Sequence, residues 1–337
     1  MTKGTNIATW ILRALACGLV SLLLAGPAAA IDSDREDVRA FIKEMSSKHG
    51  FDEAWLAGVM AQAESQPGII ELISRPAEQV KPWHAYRDHF LTEERIAAGL
   101  EFWMTHRERL AELGRRTGVA QHVIVGIIGV ESYFGRITGR FRVIDALATL
   151  AFDYPPRSKY FRAEFEQFLL LAREEQVDIG TALGSYAGAM GSPQFMPRSY
   201  RAYAVDGDGD SRRDLWGSWD DTIASVANYL AENGWRAGEP VAAAASLWFP
   251  RSDGLVAGSL APDTTVKALR DRGLAFETEL DNSAPAFFIS VAGDAGQEIR
   301  VGFHNCGVIT RYNRSVMYAL AVHELGSRIE ALLPLAP

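Results

Sequence analysis

His122-Val-Ile-Val-Gly-Ile-Ile-Gly-Val-Glu-Ser-Tyr-Phe-Gly135 is an almost wholly apolar run that ends in one ionisable carboxyl, Glu131. A run apolar on every side predicts a helix buried all round. Gly126 and Gly129 lower its helix propensity, and on one face they let a neighbouring segment come close. Glu131 then sits where the helix leaves the core. Apolar surroundings disfavour its anion, and the negative end of the helix dipole disfavours it again. A carboxylic acid kept protonated near neutral pH is what a general acid in glycoside cleavage requires.

The chain has 337 residues, 48% of them hydrophobic. That is enough for one large domain or two to three smaller ones, with a sizeable core. Residues 1–30 read as a secretory signal: Lys3 and Arg13 precede or interrupt an apolar run over 14–25, and Ala28-Ala29-Ala30 follows. Cleavage is expected after Ala30. The run is short for a membrane span, which disfavours a retained anchor. Ala14-Leu15-Ala16-Cys17 narrowly misses a bacterial lipoprotein box, because Ala14 stands where leucine is expected and the apolar run continues past Cys17. The expectation is a soluble periplasmic protein rather than an outer-membrane lipoprotein. After cleavage only Cys306 remains, so no intrachain disulfide forms, and Cys306 reads as a small buried hydrophobe. The formal charge of −8 becomes −10 without Lys3 and Arg13. Such a balance argues against a nucleic-acid partner.

The pattern along the chain predicts an α+β protein that is mostly α. An N-terminal helical domain covers 31–118, with Thr92 as the cap of a helix that starts at Leu91-Thr-Glu-Glu-Arg95, and helical period continues over 110–116. A core segment follows over 119–237. Within it, helix over 140–178 is broken at Asp153-Tyr154-Pro155-Pro156, and helical period returns over 220–233. Gly184-Ser-Tyr-Ala-Gly-Ala-Met-Gly-Ser-Pro-Gln-Phe-Met-Pro197 is turn-prone yet carries Tyr186, Met190, Phe195 and Met196, which predicts a packed loop backing a cleft. A small antiparallel β insert is expected over 238–310. Phe287–Val291, Ile299–Phe303 and Val308–Tyr312 are read as its strands, between Gly, Asp and Asn residues. The closing segment, 311–337, carries an amphipathic helix from Ser315 that returns to the helical domain.

Ile124-Val-Gly-Ile-Ile-Gly-Val-Glu-Ser-Tyr-Phe-Gly135 resembles the lytic murein transglycosylase B family. So do Ile144-Asp-Ala-Leu-Ala-Thr-Leu150, Tyr154-Pro155, the loop over 185–197, Ser225-Val-Ala-Asn-Tyr-Leu230 and Ile309-Thr-Arg-Tyr-Asn-Arg-Ser315, in the family's order. The resemblance implies a lysozyme-like catalytic core that cuts the β-1,4 link from N-acetylmuramic acid to N-acetylglucosamine in peptidoglycan, leaving a 1,6-anhydromuramoyl end. It implies Glu131 as the single catalytic acid and base. Ser185, Gln194, Tyr229, Tyr312, Asn313 and Tyr318 match its sugar-binding positions, and Tyr86 and Arg157 match groove-lining ones. Aromatic faces and fixed polar groups suit a sugar chain. The chain departs from the family's pattern at Ser192-Pro193, where Tyr-Gly is familiar. Asp145, Asp153 and Glu164 are the nearby acids, read as helix ends or surface charges. A hydrolytic muramidase of the same fold and a non-catalytic wall-binding protein are the alternatives. The expected partners are glycan strands, with cell-wall synthesis or remodelling proteins as further candidates, and the chain is expected to be a monomer.

Asp206-Gly-Asp-Gly-Asp-Ser-Arg-Arg-Asp214 resembles the first half of an EF-hand loop, with acids at alternating positions that can converge on one Ca²⁺. Position six is Ser211 rather than Gly, and position twelve is Gly217 rather than Glu. The family carries a variant loop whose last carboxylate comes late, and Asp221 aligns with it. Asp206, Asp208, Asp210, the Arg212 carbonyl and Asp221 are therefore the expected ligands of a structural Ca²⁺, with an acidic surface turn as the alternative. The chain has no phosphate loop or dinucleotide fingerprint, and no organic cofactor is expected.

Overall fold

The computed structural model describes residues 29–74, 81–248 and 255–334, so the signal expected over 1–30, with Cys17, lies outside them apart from its last two residues. Among the described residues no helix is long and apolar enough to cross a membrane.

A two-residue strand, β1 (Ala29–Ala30), is followed by α1 (Glu36–His49) and α2 (Glu53–Gln62), then by β2 (Glu64–Ser65), which pairs with β1. Next come α3 (Pro67–Ser74), α4 (Trp83–Phe90), α5 (Glu93–Thr105) and α6 (Arg107–Thr117). Thr92 caps α5 as expected, its Oγ1 accepting the Arg95 amide at 3.2 Å. The middle of the chain forms α7 (Gln121–Ser132), β3 (Phe141–Arg142), α8 (Val143–Phe152), α9 (Ser158–Glu175), β4 (Leu183–Gly184), α10 (Pro197–Tyr203) and α11 (Trp219–Glu232). The break between α8 and α9 is a 3₁₀ turn over Pro155–Arg157.

The sheet that follows is built from β5 (Ala242–Leu247), β6 (Thr264–Thr265), β7 (Leu274–Phe276), β8 (Pro285–Gly293) and β9 (Gly296–Phe303), with α12 (Val266–Asp271) after β6. Its order is β6-β8-β9-β5-β7, and every neighbouring pair is antiparallel. Alternate side chains of β8 leave by opposite faces. Phe287 and Ile289 join the main core, while Ala286 and Phe288 join a second cluster with Val266, Leu269, Leu274, Phe276, Val301 and Phe303. One face of the sheet thereby closes the helical core. The main core runs from Ile31 to Ile329, so the N-terminal helices share it with the centre of the chain.

The chain ends in α13 (His304–Tyr312) and α14 (Val316–Glu330). Here one sequence reading is corrected: Val308–Tyr312 is helical, not a strand. Val308, Ile309 and Thr310 are all buried. A short β-branched run buried on every side has no periodicity to separate strand from helix, and tertiary packing decides. The β segment accordingly ends at Phe303, and a boundary at 310 falls inside α13. Cys306, on the same helix, is fully buried, as its reading as a small apolar residue requires.

At the centre, α14 lies directly on α7. A Cβ on Gly126 would stand 2.2 Å from the Val322 carbonyl oxygen, and one on Gly326 would stand 1.9 Å from that of His122. The glycines of both helices permit this approach. Gly126→Ala is therefore expected to destabilise the protein by about 2–3 kcal/mol, since backbone must move to admit the methyl group. Gly58→Ala, in α2 with nothing within 4 Å of the new Cβ, is expected to stabilise it by about 0.5–1 kcal/mol. Urea denaturation of the two variants beside the parent checks both signs.

Candidate active site

Glu131 lies in the last turn of α7. The helix ends abruptly beyond it, with Tyr133 and Phe134 both left-handed at φ 51° and 55°. The Ser132 hydroxyl fastens this turn, donating to the Ile128 carbonyl at 3.2 Å and accepting the Gly135 amide at 3.1 Å. The Glu131 residue keeps partial contact with solvent, yet its carboxyl is so closely surrounded that burial governs its titration. Burial raises its pKa to about 7, and the Tyr318 hydroxyl, donating to Oε1 at 2.7 Å, opposes that rise. No second acid contributes to the shift. The nearby acids of the sequence are engaged elsewhere. Asp145 pairs with Arg142, Asp153 with Arg35, and Glu164 accepts the Arg198 amide at 3.0 Å.

Tyrosines from four helices gather at the carboxyl. Tyr318 comes from α14 and is 1% exposed; burial and the Glu131 charge push its pKa well up. Tyr312, at the end of α13, stacks on Tyr318 with ring centres 6.3 Å apart, and the same two causes raise its pKa. Tyr86, from α4, is raised to about 12 by burial and then by the Glu131 charge. Tyr229, from α11, meets Tyr312 edge-on at 4.7 Å and donates its hydroxyl to the Arg311 carbonyl at 2.8 Å.

The loop over 185–197 is packed, with Met190 and Phe195 buried and exchanging backbone hydrogen bonds at 2.9 and 3.1 Å. Tyr186, counted among its packed groups, is instead 39% exposed. The Ser192-Pro193 departure is accommodated: Ser192 is buried, and the Pro193 carbonyl accepts the Tyr312 hydroxyl at 2.6 Å. Gln194 is left-handed at φ 52° and donates its amide to the Thr138 and Gly191 carbonyls at 2.9 and 2.8 Å. Its amide oxygen has no protein donor among the described residues. The Ser185 oxygen accepts the Ala187 and Ala189 amides, at 3.3 and 3.0 Å. Asn313 is exposed immediately after Tyr312. Arg157 does not join this cluster in any contact among the described residues; it is exposed, with its guanidinium over Tyr160 and Phe161. Sequence reasoning missed the Pro193 and Thr138 carbonyls, because a backbone acceptor leaves no mark in side-chain identity. It also missed Arg95, which in a capped first turn reads as a surface charge but is 8% exposed.

The acidic loop behaves as its spacing suggests in part. Oxygens of Asp206, Asp208 and Asp210 lie within 4.8 Å of one another on the surface. Asp221 is buried, its two oxygens accepting the Gly207 and Asp214 amides at 2.6 Å each.

The chain matches the family model described as the transglycosylase SLT domain over residues 33–327. It is 39% identical over 306 residues to membrane-bound lytic murein transglycosylase B of Escherichia coli K12, covering 88% of this chain and 83% of that protein. The solved structure of the soluble lytic transglycosylase SltB1 from Pseudomonas aeruginosa is 46% identical with a TM-score of 0.84, over 88% of this chain and 98% of that one. The Escherichia coli lytic transglycosylase Slt35 in complex with calcium is 38% identical with a TM-score of 0.81, over 90% and 96%. SltB3 from Pseudomonas aeruginosa in complex with NAG-NAM-pentapeptide is 30% identical with a TM-score of 0.79, over 90% and 83%. These likenesses cover the whole core that places Glu131.

Because the folded pKa of Glu131 exceeds its ordinary 4.5, the folded chain holds a proton that the unfolded chain gives up. That contribution is fully present below pH 4.5 and is lost as pH rises through about 7. Glu131→Gln has no charge to bury. Its stability relative to the parent is expected to grow across this window and to level off above it, by about 3 kcal/mol. Denaturation midpoints at pH 4.5 and pH 8 measure the difference; a constant offset contradicts it.

Proposed function

The chain belongs to the transglycosylase SLT domain family and is a lytic transglycosylase acting on murein; we propose that Glu131 alone carries both proton transfers of its reaction. The enzyme is a lyase that cleaves the β-1,4 bond between N-acetylmuramic acid and N-acetylglucosamine and forms 1,6-anhydromuramoyl ends, in cell-wall turnover. One observation supports the assignment above the others: a carboxyl that burial keeps protonated near neutral pH, with no second acid beside it.

Tyr318 donates to Oε1, so the proton resides on Oε2, from which it passes to the leaving glycosidic oxygen as the bond from C1 breaks. The substrate's own N-acetyl oxygen stabilises C1 in the interval, a task for which most glycosidases use a second carboxylate. The C6 hydroxyl of the same sugar then bonds to C1 and gives its proton to the Glu131 carboxylate. Intramolecular closure has a high effective concentration, which favours it over water. Tyr86, Tyr229, Tyr312 and Tyr318 line the sugar site in this reading. The Gln194 amide oxygen, the Ser185 hydroxyl and Asn313 offer polar contacts. Arg157, separate from the cluster, serves only a more distant part of the strand.

The acidic loop fits a hard cation through its three surface carboxylates. Asp206, Asp208 and Asp210 would hold Ca²⁺ with the Arg212 carbonyl, while Asp221 braces the loop from below. The relative Slt35 was solved with calcium, and the ion's role here is structural. Export to the periplasm by residues 1–30 places the enzyme beside its substrate.

Glu131→Gln is expected to lose at least 10³-fold in activity on purified sacculi while remaining folded. Mass spectrometry of the parent's products should show anhydro ends; reducing muramic ends would identify a hydrolase. Parent activity should fall as pH rises through about 7, when Glu131 loses its proton. Tyr318→Phe removes a hydrogen bond that favours the anion, so its alkaline limb should move to higher pH; an unmoved limb contradicts the pairing. Millimolar Ca²⁺ should raise the melting temperature by roughly 2–4 °C, and Asp208→Ala should abolish the rise.

A further inference from the structure

Beside the tyrosine wall lies a pair of cations that the reaction leaves unexplained. The Tyr86 ring is 5.1 Å from that of Phe90, and the Arg95 guanidinium lies 5.1 Å from the centre of Phe90 and 4.6 Å from that of Tyr133. Arg136 lies 4.9 Å from the same Tyr133 ring. The two guanidiniums are thus less than 9.5 Å apart, the sum of their distances to that centre. Tyr133 itself is the residue at which α7, the helix that carries Glu131, ends, so the pair sits on the turn next to the catalytic residue in the chain.

Arg95 is 8% exposed, its Nε has no hydrogen-bond partner, and the one hydrogen bond of its guanidinium among the described residues is Nη1 donating to the His89 carbonyl at 3.3 Å. Neither arginine has an acidic partner among the described residues. The contrast with Arg35, Arg109, Arg142 and Arg213 is direct, since each of these is paired with a carboxylate. A buried cation without a counter-ion is costly, and burial indeed disfavours its charge here. In a chain of net charge −8, a buried cation and an exposed one over the Tyr133 ring offer a place for an anion from outside.

The sugars of the glycan strand are neutral. Its negative charge sits on the carboxylates of the stem peptide, and a guanidinium is the side chain best shaped to hold a carboxylate. We propose that Arg136 and Arg95, gathered on Tyr133, form a subsite for a stem-peptide carboxylate, with Arg136 making the contact and Arg95 supplying a fixed positive field behind it. The inference rests on the transglycosylase reading and adds to it a preference for charged peptide.

The test is a cycle of two changes. One is Arg136→Gln, an exposed position that tolerates substitution. The other is sacculi whose peptide carboxyls have been converted to amides. On native sacculi at low ionic strength, Arg136→Gln should raise KM about fivefold, the upper end for an exposed charge pair, with kcat little changed. Arg136→Lys should recover part of the loss. On amidated sacculi the parent should show the same raised KM, and Arg136→Gln should add nothing further. Equal losses on both substrates, or no loss on either, overturn the subsite. If the parent cleaves neither substrate, the transglycosylase reading itself has failed, which is a separate result.

Discussion

The contact between α7 and α14 is the constraint on which the site depends. Two helices meet closely enough for a Cβ to collide with the facing backbone at Gly126 and Gly326. That approach brings the Tyr318 hydroxyl within 2.7 Å of a carboxyl 187 residues earlier in the chain. If α14 stood off by the width of a methyl group, the tyrosine would lose its partner and the carboxyl much of its apolar cover. Packing and chemistry are therefore set by the same interface, and the glycines that cost helix propensity within α7 are retained for what they allow next to it.

Around Glu131 two effects oppose each other. Burial disfavours the anion, and the Tyr318 hydroxyl favours it. The balance falls near neutrality, where one group can both give and take a proton at similar cost. A fully apolar setting would yield an acid too reluctant to release its proton; a second carboxylate would hold that proton tighter, and a cation at hydrogen-bond distance would strip it off below neutrality. The arginines on Tyr133 do not enter the Glu131 balance, so they can engage a charged ligand without retuning it.

Much of this was legible in the chain. The apolar run to Val130 marked the buried helix and the perturbed acid at its end, because both follow from local composition. The strands over 287–291 and 299–303 were legible from their flanking turn residues, and the acidic triad from its spacing. The helix over 308–312 was not, since a short run buried all round carries no period. Nor could spacing reveal that Asp221 would spend both oxygens on backbone amides, that Arg157 would turn away onto Tyr160, or that Arg95 would be buried. Each of these depends on which distant element arrives beside the residue, and tertiary packing alone supplies that.

The proposed cleavage depends on one titration. Selective carbon-13 labelling of glutamate, read by NMR against pH with Glu131→Gln to assign the resonance, measures the protonation of this carboxyl directly. A midpoint near 7 is the expected result. A midpoint at its ordinary value of 4.5 would mean that the group is ionised at neutral pH, and that a single buried acid does not drive the cleavage.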